Sequence, residues 1–377
     1  MIDAAKGTVL LAAGGTGGHL FPAESLAHAL TARGWTIDLV TDERADKYGT
    51  AFPARKVHIV SAATVTGRSP LALAKTAAGL GLGFLQSLKV IGAVKPAVAV
   101  GFGGYPTVPP LFAASVRGVP TILHEQNAVI GWGNRILAKR ATRIATGFAS
   151  PKGTEAWASK LVLTGNPVRP AVIAAAAVPY SAPTSDGAFN LLVFGGSQGA
   201  RVFADLVPPA LERLDPVLRA RIRLTQQVRP EDIGRVTAAY AAMGIAAEIA
   251  PFFTDLPARI AASHLVVCRS GASSVAELSV IGRPSILVPL PHARDQDQAV
   301  NAAVLAGVGA AWPIPQGDLS ADPDRLAREI STLAGAPGRL AEAAAAARGI
   351  AMPDAVARLA DLVEETARRR PNGARIP

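Results

Sequence analysis

Two glycine-rich turns each follow a short apolar run and lead into a helical pattern. Gly14-Gly15-Thr16-Gly17-Gly18-His19 follows Val9-Leu10-Leu11-Ala12-Ala13, and Gly195-Gly196-Ser197-Gln198-Gly199-Ala200 follows Leu191-Leu192-Val193-Phe194. Glycine allows close backbone approach, and the amides and dipole of the next helix start attract an anion. Two such turns point to two nucleotide-fold halves taking a phosphate-bearing ligand. His19 closes the first turn, where an imidazole titrating near about 6.5 suits a general base. The first turn lacks the spacing of the dinucleotide fingerprint, and no P-loop lysine follows either turn. Each turn taken alone also reads as an ordinary strand–helix junction.

Further polar clusters sit where apolar strands end. Gly101-Phe102-Gly103-Gly104-Tyr105-Pro106 adds backbone amides, and His124-Glu125-Gln126-Asn127 adds polar side chains, one of whose ordinary roles is capping the next helix. In the second half, Cys268-Arg269-Ser270-Gly271-Ala272-Ser273-Ser274-Val275-Ala276-Glu277 closes a strand and opens a helix. Its amides suit a diphosphate, and Glu277 suits the hydroxyls of a ribose. Gln298 and Asn301 share a helix face, with amides fit for sugar hydroxyls and an acetamido group. Asp295 and Asp297 spell D-x-D but read as helix capping rather than a metal site, and no Cys/His spacing suits zinc. No tightly bound cofactor is expected, and nothing in the sequence supports a divalent cation.

The elements that must carry these clusters alternate. Strands are expected at Thr8–Ala12, Thr36–Thr41, Val57–Val60, Ala97–Gly101, Thr121–His124, Arg143–Thr146 and Lys160–Leu163, with helices such as Pro22–Arg33 and Gly131–Lys139 between them. After a Pro-rich connector the pattern restarts with Leu191–Phe194, Arg221–Thr225, Ala247–Ile249, Leu265–Cys268, Ser285–Val288 and Ala310–Pro313, then helices Arg325–Ala347 and Pro353–Arg368. Apolar strands without polar alternation fit parallel sheets covered on both faces. The fold class is therefore α/β, with two Rossmann-like doubly wound domains facing across a cleft. Expected bounds are 1–166 for the first domain, 167–189 for a linker, 190–352 for the second domain and 353–377 for a C-terminal helix and basic tail.

Composition sets the outer limits. The chain has 377 residues, 50% hydrophobic and 18% charged, with net charge +10. Its mean hydropathy is +0.29. Two domains of this size can each bury a core. Basic charge suits phosphorylated ligands or an anionic leaflet, though the tail around Arg368, Arg369 and Arg370 reads as solvated. Only 5% of residues are aromatic, which disfavours a base-stacking nucleic-acid platform. Cys268 is the sole cysteine, so an internal disulfide is excluded and a reducing compartment is indicated. No secretory signal is convincing, and no stretch is expected to be long and apolar enough to span a bilayer.

GGTGGH, GFGGYPT, HEQN, GNPVR, GGSQGA and CRSGASSVAEL, in this order and followed by Gln298 and Asn301, resemble the MurG family of peptidoglycan N-acetylglucosaminyltransferases. The resemblance runs from about Lys6 to beyond Asn301. It implies GT-B architecture and an inverting transfer of GlcNAc from UDP-GlcNAc to the C4 hydroxyl of the MurNAc-pentapeptide on undecaprenyl-diphosphate lipid I, giving lipid II. Carried over, the donor contacts fall on Thr16, Gly17, Gly18, Asn127, Arg169, Ser197, Phe253, Ala272, Ser273, Ser274, Val275, Ala276, Glu277 and Gln298. Isoleucine is a familiar occupant at the Phe253 position, which is assigned to backbone and packing contact with uracil. His19 is expected as the base, assisted through Glu125 or His124. Gly103, Gly104, Tyr105 and His124 are assigned to the acceptor.

The segment from Arg68 through Lys75, then Leu80, Leu82, Phe84, Leu85 and Lys89, is similar to the family's bilayer-facing patch, although a buried helix is the alternative. The resemblance thus implies a peripheral enzyme at the cytoplasmic face of the bacterial inner membrane. Its partners would be an anionic membrane surface and other cell-wall synthesis proteins, not nucleic acid. A GT-B enzyme with another acceptor, a UDP-GlcNAc 2-epimerase and a non-catalytic nucleotide-sugar binding protein stay open. HEQN with GGYPT argues against the epimerase.

Overall fold

A computed structural model describes residues 6–14, 17–43, 52–62, 69–196, 201–291 and 296–368, without the side chains of 70–75. The chain divides into two compact units, Met1–Arg169 with Pro353–Pro377, and Pro170–Met352.

The first unit holds seven strands: β1 (Thr8–Ala12), β2 (Thr36–Thr41), β3 (Lys56–Ile59), β4 (Val98–Gly101), β5 (Thr121–Glu125), β6 (Arg143–Thr146) and β7 (Leu161–Leu163). They form one parallel sheet in the order β3-β2-β1-β4-β5-β6-β7. Alternate side chains feed opposite faces, the geometry of a pleated strand. Val9 and Leu11 join the core beneath the helix Gly17–Ala32, while Leu10 and Ala12 join the core with Leu111 and Leu137. Both faces being covered explains the near-continuous apolar runs.

The second unit holds β8 (Phe189–Phe194), β9 (Ile222–Gln227), β10 (Ala246–Ala250), β11 (Leu265–Cys268), β12 (Ser285–Leu287) and β13 (Ala311–Pro313). Their order is β10-β9-β8-β11-β12-β13, again all parallel. In each unit the order reverses beside the first strand, between β1 and β4 and between β8 and β11. The carboxyl ends of those strands flank the crevice where open α/β sheets bind ligands.

Three sequence expectations change. The expected helix Arg325–Ala347 is two, Arg325–Ala334 and Pro337–Gly349, because Gly335 ends the first and Pro337 opens the second. The Pro-rich connector contains a short helix, Pro170–Ala175, which packs within the second unit. The helix Pro70–Val94 carries a window, Thr76–Val94, of mean hydropathy 1.5, long and apolar enough by length and composition to cross a membrane. The run is hard to see in the sequence because Lys89 and Gln86 interrupt it. Only 17% of that window is buried, and one side of the helix packs on the first unit, with Phe84 against Phe112 and a close approach of Gly83 to Ser61.

Candidate active site

In the first unit, β1 and β4 end side by side, Ala12 pairing with Gly101. The helix Gly17–Ala32 begins just past β1, which brings the half-buried His19 to this switch point. A Cβ added to Gly14, Gly103 or Gly104 would lie 3.5 Å from atoms of the His19 ring. Gly103 and Gly104 have φ of +84° and +79°, so two successive left-handed residues fold the chain around the imidazole. Tyr105 follows, its ring 5.2 Å from that of Trp132.

β5 delivers the next cluster. Glu125 is buried, and its Oε1 accepts from Asn127 N at 3.0 Å. Its Oε2 accepts from Gly131 N and Asn134 Nδ2, both at 2.9 Å. Burial pushes this carboxyl up, and the donors from Asn127, Gly131 and Asn134 pull it back. Both oxygens are engaged, so Glu125 also shapes the loop that carries half-buried Asn127.

His124, expected beside the acceptor, points into the interior. It is fully buried, 5.4 Å from the Phe102 ring, and its Nε2 lies 3.1 Å from Gly165 O. Burial lowers its pKa to about 4, so the ring is neutral near pH 7. Gln126 donates to Phe102 O at 3.0 Å and Asn166 donates to Gln126 O at 2.9 Å. Arg169 is half-buried, its guanidinium 5.2 Å from the Phe21 ring centroid.

In the second unit, Gln227 braces the glycine turn after β8, accepting from Gly195 N at 3.0 Å and donating to Pro251 O at 3.1 Å. The helix Ala272–Ile281, which carries Ala272 to Glu277, starts after Gly271 with no side-chain cap on its first amides. Ser270 turns inward and donates to Gln298 O at 2.7 Å. Asn301 is corrected in the same way: it is fully buried and donates to Ser270 O at 3.1 Å rather than presenting its amide outward. The Gln298 side chain accepts from Leu290 N at 3.0 Å, fixing the loop after β12. Phe253 is buried beneath Arg259, 4.2 Å from its ring, so its backbone is the part suited to a base. Thr16, Ser197 and Asp295 lie outside the described residues. Asp297 opens the helix Asp297–Gly307 and accepts from Gln298 N at 2.8 Å.

Several braces are not legible in the sequence. Asn134 holds Glu125, and buried Arg269 donates to Val288 O, Pro289 O and Gln316 Oε1 at 3.0, 3.0 and 2.7 Å. The available signal was a polar residue just past a strand, which does not tell an inward side chain from an outward one.

Residues 9–146 match the glycosyltransferase family 28 N-terminal domain and residues 190–359 its C-terminal domain. A UDP-N-acetylglucosamine–N-acetylmuramyl-(pentapeptide) pyrophosphoryl-undecaprenol N-acetylglucosamine transferase of Rhodopseudomonas palustris is 58% identical, over 96% of this chain and 98% of its own. The enzyme of the same description from Chelativorans sp. is 55% identical, over 96% and 95%. The chain belongs to the MurG family. The crystal structure of Acinetobacter baumannii MurG superposes with a TM-score of 0.77 at 27% identity, covering 95% of this chain and 99% of that one. A UDP-GlcNAc 2-epimerase from Neisseria meningitidis bound to UDP-GlcNAc shares the fold alone, at a TM-score of 0.64 and 13% identity over 95% and 99%. Membership in the MurG family makes this chain a glycosyltransferase rather than an epimerase.

Proposed function

We infer that this chain transfers GlcNAc from UDP-GlcNAc to the MurNAc-pentapeptide of undecaprenyl-diphosphate lipid I, forming lipid II. The observation that carries the local mechanism is the His19 imidazole held against three glycines at the β1–β4 switch point. In an inverting transfer His19 takes the proton of the C4 hydroxyl as its oxygen attacks the anomeric carbon, and UDP leaves from the opposite side. The first unit would take the acceptor, with Gly103, Gly104 and Tyr105 beside the base. Donor contacts proposed there are Thr16, Gly17, Gly18, Asn127 and Arg169.

In the second unit the uncapped amides at Ala272, Ser273 and Ser274 suit the diphosphate, whose charge grows as the bond breaks. Ser197, Val275, Ala276, Glu277, Gln298 and the backbone of Phe253 complete the proposed UDP-GlcNAc contacts. A His19→Ala enzyme that binds UDP-GlcNAc normally and turns over at the native rate would exclude His19 as the base.

The same reading places the enzyme peripherally on the cytoplasmic face of the inner membrane, where other cell-wall synthesis proteins would be its neighbours. Leu82 and Leu85 on the helix Pro70–Val94 are 51% and 63% exposed. Exposed Val116 and Ile136 lie on helices that pack in the same region, where Arg140 covers Phe112 at 5.0 Å. Apolar bulk beside cations suits an anionic leaflet, each cation adding about 1 kcal/mol.

A further inference from the structure

We propose that His124 and Asn166 form a latch that positions Arg169, and that this latch sets affinity for the sugar-nucleotide donor. The proposal rests on the reading of Arg169 as a donor contact.

β6 lies between β5 and β7, so the segments continuing from those outer strands are two strand spacings apart, about 9–10 Å. Backbone groups cannot bond across that gap, but side chains can. His124, on β5, donates from Nε2 to Gly165 O at 3.1 Å, and Asn166 returns the bond by donating from Nδ2 to Gln126 O at 2.9 Å. The two bonds run in opposite directions between the same two segments. They pass over the end of β6 at Gly147, where an added Cβ would sit 2.3 Å from Asn166 Oδ1. Gly147 is thus the gap through which the latch closes.

The stretch from Asn166 to Arg169 is short and held. Pro167 and Val168 are buried, and Arg169 reaches the Phe21 ring as the last residue of the first unit before the chain enters the second. Apart from the latch, the described backbone bonds that tie the segment after β7 to the sheet are those of Thr164 N and Gly165 N to Thr146 O, at 3.1 and 3.0 Å. His124 is neutral near pH 7, and because Gly165 O can only accept, Nε2 is the nitrogen that carries the proton. Neither His124 nor Asn166 needs to touch substrate; both act through Arg169.

The test is steady-state kinetics of the full chain with UDP-GlcNAc and lipid I, on variants whose folding is checked by thermal unfolding. His124→Phe and Asn166→Leu each remove one donor at similar volume. Each should raise the KM for UDP-GlcNAc about tenfold while the KM for lipid I moves less than about twofold. His124→Gln, whose amide can replace the Nε2 donor, should recover most of the loss. In an Arg169→Ala background, His124→Phe should add less than about twofold. An unchanged donor KM, or an equal multiplicative loss with and without Arg169, would overturn the latch. An Arg169→Ala enzyme with native donor KM would instead remove the donor role of Arg169, and the latch with it.

Discussion

His19 and His124 show how environment divides one residue type between two tasks. His19 stands half-buried in a glycine cradle, whereas His124 is sealed against Phe102 and donates to a carbonyl. Replacing His19 by Ala should lower kcat about 10²–10⁴-fold while isothermal titration shows UDP-GlcNAc binding within about threefold of native. His124 gives a pH signature in stability. Its folded pKa is about 4 against 6.5 unfolded, so its contribution is complete above 6.5 and is lost as pH falls toward 4, where the unfolded chain binds the proton the native state refuses. The native curve should therefore fall more steeply than that of His124→Phe between those values, by up to about 3 kcal/mol in total. Parallel urea-unfolding curves across the window would contradict the buried neutral ring. The sequence shows a histidine at each rim, but which face a strand-end side chain takes is decided by register. That is why Glu125 and His124 read as outward groups and prove to be inward ones; Asn301, on a helix, is turned inward by its bond to Ser270 O.

At the scale of elements, the strand pattern is almost wholly readable, because strands buried on both faces carry uninterrupted Val, Ile, Leu and Ala. Strand order is not readable, since parallel neighbours are remote in sequence. Only the order reveals that Gly14 and His19, and the turn Gly101 to Tyr105, flank one switch point. The turns themselves make sharp demands. Gly103→Ala forces a left-handed φ on a residue with a Cβ beside the His19 ring, and should cost about 1 kcal/mol of stability and most of the activity. A fully active Gly103→Ala enzyme would show that this turn does not shape the base. Gly282 makes a second such demand: it ends the helix Ala272–Ile281 with φ of +70°, and an added Cβ would meet the Arg348 side chain at 2.3 Å. Gly282→Ala should lower the denaturation midpoint, and an unchanged midpoint would contradict that packing.

Across the whole molecule, the C-terminal helix Ala355–Arg368 belongs to the first unit although it comes after the second in sequence. Leu359, Leu362 and Val363 enter the core beside Leu26 and Leu30. Arg33 meets Asp361 at 2.6 Å, and Trp35 Nε1 donates to Glu364 at 2.9 Å. Helical periodicity displays this segment plainly but does not say what it packs on. Truncation after Met352 should make the first unit unfold earlier than the second in a denaturant titration; a single unchanged transition would contradict its structural role. The net charge of +10 and the exposed Leu82 and Leu85 act at the same scale. Co-sedimentation with anionic vesicles should exceed that with neutral ones, weaken with salt and fall again in Leu85→Glu; equal binding to both vesicle types would remove the electrostatic share.

The most direct measurement uses purified full chain, UDP-GlcNAc carrying a radiolabelled sugar, and lipid I in vesicles. Transfer to lipid I should move the label into lipid II with one UDP released per transfer and the new bond inverted at the anomeric carbon, and both signals should collapse together in His19→Ala. Release of UDP without labelled lipid, or conversion of the donor to its 2-epimer with no acceptor present, would contradict it.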